Sequence, residues 1–243
     1  MVEKITDPDD SEKRRRAIQE MFSQIAPRYD FLNRLLSLGI DQGWRETLVR
    51  MVRAGERTSI LDVACGTGDV SLALREKAPR ARIVGLDFSQ AMLDLARIKS
   101  ERAGAGLELA CASAENLPFA EHEFDLVSIA FGIRNVVDRE KALAEFFRVL
   151  KPKGRLAVLE FSQPRVPWLG DLYNIYFFQI LPLIGGLFAQ RSAYRYLPES
   201  VARFPAPQEF SGSLRAAGFE SCRLHALTFG IATLYLADKP ALS

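Results

Sequence analysis

The sequence contains few cysteines and histidines, and their scarcity excludes several kinds of protein. Cys65, Cys111 and Cys222 are far apart and form no Cys-x-x-Cys pair. With only His122 and His225 beside them, no cluster has the spacing of metal ligands, so we expect no metal site and interpret both histidines as structural. An odd cysteine count without close pairs is typical of a reduced, cytoplasmic protein rather than a disulfide framework.

A strong excess of one charge is also missing. The 32 lysines and arginines nearly balance the 30 aspartates and glutamates, which leaves a net charge of +2. This balance creates no field for phosphates, so we expect no nucleic-acid partner. The N-terminus is too charged for a signal peptide. Its basic run, Lys13 to Arg16, indicates a solvated helix face, with contact to anionic lipid at the inner face of the membrane as the alternative.

Short apolar runs alternate with amphipathic runs along most of the chain. We predict strands over 59–64, 81–87, 107–113, 124–132 and 154–162, with helices over 69–78, 90–104 and 139–151 between them. A helix over 207–219 then precedes two strands within 220–239, which are antiparallel because a tight turn joins them. The pattern predicts an α/β fold: a doubly wound, Rossmann-like, seven-stranded sheet, mostly parallel with an antiparallel last strand.

Two segments lie outside this alternation. Residues 1–55 are predicted as N-terminal helices, with breaks at Pro27 and Gly39. No linker rich in proline, serine or glycine divides the chain, so we predict one domain over 1–243. Between 163 and 207 the pattern stops, and Leu172 to Gln190 carries no charge.

The stretch "LDVACGTGDVSLAL" joins the first predicted strand to its helix through Gly66 and Gly68. Glycines let the backbone turn sharply and let a ligand approach, and ligands of doubly wound sheets bind beyond the carboxyl ends of the strands. Asp87 ends the second strand, where a carboxylate can accept both hydroxyls of a ribose. After the third strand, the backbone of Ser113 and Ala114 lies beside the same crevice and could meet an adenine edge. We therefore predict a nucleoside site.

The identity of the nucleoside follows from two further residues. A dinucleotide fingerprint places a third glycine or alanine where this chain has Ser71. Asp62, just before the turn, suits a hydrogen bond near a cationic, amine-bearing ligand. Both features favour S-adenosyl-L-methionine, and an NAD-dependent dehydrogenase is the alternative.

Longer stretches carry a resemblance to a family. "LDVACGTGDVSLAL", "GLDFSQAMLDLAR", "SAENLPF" and "FDLVSIAFGIRNVVD" resemble the class I S-adenosylmethionine-dependent methyltransferases. "YDFLNRLLSLGIDQGW" and "RVLKPKGRLAVLEFS" are similar to the two signatures of the ubiquinone/menaquinone biosynthesis C-methyltransferases. The resemblance implies a single methyltransferase domain, cofactor contacts at Thr67, Asp87 and Ala130, and a polyprenylated quinol substrate. Demethylmenaquinol is favoured over the benzoquinol of ubiquinone synthesis, and the homo-oligomeric state stays open.

The chain departs from the family pattern at several positions. Asp41 stands where the signature has His, and Leu32 where it has Met. Lys153 replaces a glycine, Ser113 an asparagine or aspartate, and Ala130 a serine. We expect the Asp41 change to affect substrate handling rather than the cofactor.

The apolar run between 163 and 207 is long enough to span a membrane, but it lies between a strand and a helix of one sheet and is broken at Pro182. We interpret it as a helical cap over the crevice that faces a prenyl tail and touches the bilayer, with a buried core helix as the alternative. Its aromatic residues would wall the quinol ring: Tyr173, Tyr176, Phe177, Phe178, Tyr194 and Tyr196.

The chemistry expected is methylation of a ring carbon activated by a neighbouring phenolate. Arg134 would stabilise the phenolate, and Asn135 would orient the hydroxyl. Tyr29 and Asp30 are the candidates for proton handling. Methylation of another small molecule, and binding of a lipid or cofactor without turnover, are the remaining alternatives.

Overall fold

The computed structural model describes residues 8–37, 39–162 and 191–241. Three N-terminal helices come first: α1 (Pro8–Ile25), α2 (Tyr29–Leu36) and α3 (Ile40–Val52). A 3₁₀ turn at Ala26–Arg28 contains Pro27 and separates α1 from α2, as predicted. Gly39, in the left-handed conformation with φ +77°, precedes α3. The sheet begins immediately after these helices.

Strands and helices then alternate as the sequence predicts. The strands are β1 (Ser59–Val63), β2 (Arg82–Asp87), β3 (Glu108–Cys111), β4 (Phe124–Ala130), β5 (Leu150–Phe161), β6 (Glu220–Leu227) and β7 (Ala232–Asp238). The helices are α4 (Asp69–Lys77), α5 (Gln90–Arg102), α6 (Arg139–Val149), α7 (Arg191–Ala202) and α8 (Pro207–Ala216). Only boundaries differ. β5 begins at residue 150 rather than 154, because Leu150 already pairs with Phe124 before the register shifts and resumes at Arg155.

The seven strands form one sheet in the order β3-β2-β1-β4-β5-β7-β6. The pairs from β3 to β5 are parallel, whereas β7 is antiparallel to both β5 and β6. The predicted doubly wound sheet is confirmed. Parallel strands place their carboxyl ends at one edge, so the ends of β1, β2, β3 and β4 meet there.

Apolar residues cover both faces of the sheet. One face packs α6 and α8 against the strands through Phe124, Phe146, Phe210 and Tyr235. The other face packs α3 and α4 through residues that include Trp44, Leu48, Leu74 and Ile83. Burial on both faces explains why the sheet strands are continuous apolar runs rather than alternating ones.

Most of the predicted cap, residues 163–190, lies outside the described residues, as do the side chains of residues 191–195. The predicted wall residues Tyr173, Tyr176, Phe177, Phe178 and Tyr194 therefore stay predictions. The part that is described resumes with α7, whose Tyr196 hydroxyl donates to Oδ1 of Asn135 at 3.0 Å. Among the described residues, none of the helices combines the length and apolarity needed to cross a membrane.

Candidate active site

The turn between β1 and α4 is built on two glycines. Gly66 and Gly68 both have positive φ, +56° and +88°. A Cβ at Gly68 would lie 3.3 Å from Cβ of Ala96 on α5, so this glycine serves close packing and the start of α4. Gly66 instead borders the crevice, and its N–H donates to Oδ2 of Asp87 at 2.9 Å. Of the two predicted glycines, Gly66 lines the site and Gly68 shapes the turn.

Asp87 lies at the centre of the crevice, at the end of β2. Its Oδ1 accepts from the N–H of Ser89 at 2.9 Å, and its side chain is buried. Burial raises the pKa of Asp87 to about 6, although the N–H groups of Ser89 and Gly66 oppose this rise. A carboxylate offers about four acceptor positions, so two remain for the hydroxyls of a ribose.

A partly open cavity extends from this carboxylate, as is usual for small-molecule sites. Ser113, Ala114 and Glu115 line one side, and Ala130 lies on its floor at the end of β4. The apolar lining includes Ile18, Phe22, Val63, Leu86, Phe88 and Met92. The predicted contacts Asp87, Ser113, Ala114 and Ala130 therefore meet in one place.

Helix α1 closes the cavity from above. Arg15 pairs with Glu115 at 2.5 Å, and the Gln19 amide donates to the carbonyl of Phe88 at 2.6 Å. Ile18 and Phe22 have the helical spacing of a buried face, but that spacing does not say what the face covers. It covers the ligand cavity.

Asp62 is buried beneath the glycine turn. Its two oxygens accept from Ser71 Oγ at 2.6 Å and Ser128 Oγ at 2.8 Å. Burial raises the pKa of Asp62 to about 6, against the effect of the two hydroxyls. Ser71, at the third position of the dinucleotide fingerprint, thus has a structural role: its hydroxyl donates a hydrogen bond to the buried Asp62 carboxylate. Each Asp62 oxygen keeps a second acceptor position, so the expected hydrogen bond near an amine stays a prediction.

Thr67 and Asp30 belong to a polar cluster that ties α2 to the glycine turn. Thr67 Oγ1 donates to Oδ1 of Asp30 at 2.6 Å. Lys99 Nζ lies 2.5 Å from Asp30 and 2.6 Å from Asp69. Burial opposes ionisation of Asp30, but the hydrogen bonds from Lys99 and Thr67 outweigh it and lower the pKa of Asp30. A carboxylate held this way is a poor proton acceptor, so the proton-handling role predicted for Asp30 does not fit its position.

Tyr29 lies against the glycine turn and borders the cavity. Its Cε1 is 3.7 Å from the position that a Cβ on Gly66 would take. Burial raises the pKa of Tyr29, although the charges of Arg45 and Arg134 partly oppose this. Tyr29 is therefore protonated at neutral pH. It can donate a hydrogen bond, but it is not the base that the sequence suggested.

Arg134 lies behind the cavity wall rather than in it. Its Nη1 is 2.7 Å from Oε1 of Glu160 and donates to the carbonyl of Phe131 at 2.5 Å. Glu160 is fully buried and was not predicted. The ion pair balances the guanidinium charge, so direct binding of a phenolate by Arg134 does not fit this placement. Asn135 does border the cavity, and Tyr196 fixes its amide.

A close approach of two loops shapes the floor beside Asn135. A Cβ on Gly132 would lie 2.5 Å from Cβ of Ala64, so only glycine fits where β4 ends against the glycine turn. This contact brings the ends of β1 and β4 together. Tyr29, Ala130 and Asn135 all line the cavity.

A second, smaller cavity lies on the other side of the glycine turn. Tyr29, Ala64, Gly66 and Ala130 line both cavities. Among the described residues, no group of three or more His, Cys, Asp or Glu side chains could hold a metal ion.

The residues present fit S-adenosyl-L-methionine. The Asp87 carboxylate has acceptor positions left for a ribose, and apolar side chains flank the place of a flat base. Gly66 lines both this cavity and the second one, and it has no side chain. An elongated ligand can therefore pass along the turn from one cavity to the other.

Comparison with known proteins agrees with this geometry. The profile of the ubiE/COQ5 methyltransferase family matches residues 9–239. The ubiquinone/menaquinone biosynthesis C-methyltransferase UbiE of Geotalea daltonii is 50% identical over 226 residues, covering 91% of this chain and 96% of that protein. The demethylmenaquinone methyltransferase of Thermus thermophilus is 51% identical over 221 residues, covering 90% and 100%.

Solved structures share the fold at lower identity. An S-adenosylmethionine-dependent methyltransferase from Thermotoga maritima superposes with a TM-score of 0.65 at 20% identity, covering 91% of this chain and 99% of that one. The family match covers nearly the whole chain and includes the cavity residues. This chain therefore belongs to the ubiE/COQ5 methyltransferase family and is a methyltransferase that uses S-adenosyl-L-methionine.

Proposed function

We propose that this chain methylates a ring carbon of a polyprenylated quinol, with demethylmenaquinol as the preferred acceptor. The observation that carries the proposal is that Tyr29, Ala130 and Asn135 line the same cavity as the nucleoside-binding residues. Tyr29 and Ala130 also line the second cavity, so an acceptor ring bound beside them would lie next to the cofactor. The family membership supplies the reaction class.

The donor would be held by side chains and backbone already in position. Asp87 would accept the ribose hydroxyls, Ser113 and Ala114 would flank the adenine edge, and Gly66 and Ala130 would border the central part. When bound, this cofactor supplies a methyl group on a sulfonium, which is a good leaving group. The work of the protein is then to orient the acceptor and favour its ionised form.

Tyr29 would stabilise the phenolate through a hydrogen bond. Burial raises the pKa of the Tyr29 hydroxyl, against a hydrogen bond with Asn33 and the charges of Arg45 and Arg134. Tyr29 therefore keeps its proton and would donate a hydrogen bond to the phenolate oxygen of the acceptor.

Asn135 is the group best placed to orient the other polar edge of the acceptor. Its Oδ1 accepts from Tyr196, and its Nδ2 donates weakly to the carbonyl of Phe131 at 3.4 Å. The amide therefore has a fixed direction and one N–H left to bind substrate. The link from Asn135 to Tyr196 also connects the site to α7, the first described element after the apolar segment.

The names of the relatives point to two different quinol acceptors. The Thermus thermophilus relative is named for demethylmenaquinone alone, and the Geotalea daltonii relative for both ubiquinone and menaquinone synthesis. Methylation of 2-methoxy-6-polyprenyl-1,4-benzoquinol is accordingly the second candidate. Burying methylenes contributes about 0.8 kcal/mol each, so one or two prenyl units would suffice for binding of either ring.

The test is incubation of the purified chain with methyl-labelled S-adenosyl-L-methionine and a short-chain acceptor. We expect label in the ring of reduced demethylmenaquinone and much less in the benzoquinol. Equal or greater labelling of the benzoquinol would reverse the preference. Absence of label in both, with the cofactor bound, would refute quinol methylation.

A further inference from the structure

The second cavity has a charged lining that suits an amino acid. The charged side chains in its lining are those of Arg45, Asp62 and Asp69. Cys65 and Thr67 add polar groups to this lining. The nucleoside cavity lies directly across Gly66. A ligand that spans both cavities would thus have a nucleoside at one end and a group of mixed charge at the other.

Arg45 is the cation of this cavity. Its guanidinium carbon lies 5.5 Å from the centre of the Phe131 ring, and its side chain is largely buried. Nη1 of Arg45 donates to Oδ2 of Asp41, one helical turn earlier on α3. A guanidinium has five N–H donors in a planar fork, so the pairing with Asp41 leaves donors available for an anion.

Asp41 fixes the direction of this guanidinium. Its side chain is buried, and its Oδ1 accepts from Ser37 Oγ at 2.5 Å. The family signature has His where this chain has Asp41. A neutral imidazole carries no charge to pair with Arg45, whereas the carboxylate both pairs with Arg45 and is itself held by Ser37.

We propose that Arg45 binds the carboxylate of the amino-acid end of the methyl donor, and that Asp41 is the positioning residue for this contact. The proposal rests on the use of S-adenosyl-L-methionine and extends it to a residue pair on the N-terminal helices. The lining of this cavity also includes Asp62 and Asp69, whose negative charges match the donor's ammonium. Asp62 is held by two serine hydroxyls and Asp69 by Lys99, so both acids are fixed in place.

This assignment also explains why α3 belongs to the site. With the ribose at Asp87 and the carboxylate at Arg45, the sulfonium that joins the two ends belongs where the two cavities meet. Tyr29 and Ala130 line both cavities at that point. Under this proposal the departure at Asp41 concerns the cofactor, whereas the sequence alone predicts an effect on substrate handling.

The test compares two ligands that differ at the amino-acid end. S-adenosyl-L-homocysteine carries this end, whereas 5′-methylthioadenosine lacks it. By calorimetry, Arg45→Gln should weaken binding of S-adenosyl-L-homocysteine about 10- to 100-fold, as expected for loss of a charge-assisted hydrogen bond. Binding of 5′-methylthioadenosine should not change. Arg45→Lys, which keeps the charge and loses the fork, should give an intermediate loss.

Arg50→Gln is the matched control, because Arg50 is exposed on the same helix and contacts Thr47. It should leave both affinities unchanged. Equal losses for both ligands in the Arg45 variants, or no loss for either, would overturn the assignment. If the unaltered chain binds neither ligand, the use of S-adenosyl-L-methionine itself fails.

The role of Asp41 is tested by the same comparison of affinities for S-adenosyl-L-homocysteine and 5′-methylthioadenosine. Asp41→Asn and Asp41→His should both weaken S-adenosyl-L-homocysteine binding selectively, and Asp41→Glu should restore part of it. A purely structural role for Asp41 would change both ligands together or neither. Selective loss with Asn but full affinity with His would overturn the idea that a carboxylate is needed to hold Arg45.

Discussion

Arg134 and Glu160 form a buried ion pair behind the active-site cavity, with Nη1 of the arginine 2.7 Å from Oε1 of the glutamate. Glu160 also accepts from the backbone N–H of Arg134 at 3.2 Å and from its own neighbour Phe161 at 2.8 Å. The Arg134 guanidinium stacks 5.3 Å from the centre of the Phe161 ring. The pair therefore joins the end of β5 to the turn after β4.

Replacement of Glu160 by Gln should destabilise the fold strongly. The change leaves the Arg134 charge buried without a counter-charge, which costs about 3–5 kcal/mol. Urea unfolding monitored by circular dichroism measures this loss. The double variant Arg134→Met/Glu160→Leu should recover part of the stability, because an apolar pair removes both charges but leaves two backbone N–H groups without their Glu160 acceptor. A loss below about 1 kcal/mol in Glu160→Gln would show that the charge is not desolvated.

Asp87→Asn should weaken binding of S-adenosyl-L-homocysteine about 10- to 100-fold at pH 8, since an ionised acceptor is lost. The folded-state pKa of Asp87 is raised to about 6 by burial. Affinity of the unaltered chain should consequently fall as the pH decreases through about 6, because protonation removes the charged acceptor. Calorimetry between pH 5 and 8 tests both statements.

Asp94→Asn is the control for Asp87, because Asp94 is exposed on α5 and contacts Gln90 and Arg97. It should leave the affinity and its pH profile unchanged. Asp62 has a similar pKa of about 6, and so part of the profile could come from that residue. If the decrease below pH 6 is equally steep in Asp87→Asn, the titrating group is not Asp87.

The sheet and the nucleoside end of the site could be predicted because they depend on local patterns. Apolar runs of strand length separated by amphipathic helices determine a parallel sheet, and the carboxyl ends of its strands meet at one edge. Gly66 and Asp87 end neighbouring strands, so their proximity follows from topology alone. In the structure the Gly66 N–H donates a hydrogen bond to Asp87, so the two residues are in direct contact.

The charge pairing could not be predicted because each partner comes from a distant element. Glu160, the partner of Arg134, lies 26 residues away in an apolar strand, so the sequence does not show that the guanidinium is paired. Lys99, on α5, pairs with Asp30 across a longer gap in the sequence. One signal was available: an acidic residue within the apolar stretch "LAVLEFS" indicates a buried carboxylate that needs a cation.

Ser71→Ala should destabilise the protein by about 1–3 kcal/mol, because a buried carboxylate loses one of its hydrogen-bond donors. The loss should be larger at pH 8 than at pH 5. Asp62 has a folded-state pKa of about 6, above its model-peptide value of 3.8. Its ionised form, present above pH 6, depends on the serine hydroxyl more than its protonated form does. The raised pKa also means that ionisation of Asp62 lowers stability as the pH rises from about 4 to 6.

Denaturant unfolding at the two pH values measures the Ser71 effect. Ser213→Ala on α8 is the control, since Ser213 Oγ donates only to the carbonyl of Glu209 at 3.5 Å in an exposed position. Its effect should be small and independent of pH. An equal loss at both pH values in Ser71→Ala would show that the hydroxyl does not support an ionised Asp62.

Removal of Arg15 should make the cofactor site open more readily. Arg15 donates through Nε and Nη2 to Glu115 Oε2, at 3.0 and 2.5 Å, and so ties α1 to the wall of the nucleoside cavity. Because α1 covers that cavity, Arg15→Ala should speed dissociation of S-adenosyl-L-homocysteine roughly tenfold, as for loss of one charge-assisted contact. It should also raise amide hydrogen exchange in α1. Stopped-flow displacement and exchange mass spectrometry give the two readouts.

The neighbouring Arg16 provides a matched control for Arg15. Arg16 is 71% exposed and pairs with Glu12 on the same helix at 3.2 Å, so Arg16→Ala removes the same charge without detaching α1 from the cavity. Its dissociation rate should match that of the unaltered chain. Added salt should speed dissociation in the unaltered chain more than in Arg15→Ala, since screening weakens a pairing that the variant no longer has. Equal rates in Arg15→Ala and Arg16→Ala would mean that α1 is held by its apolar contacts and not by the pairing with Glu115.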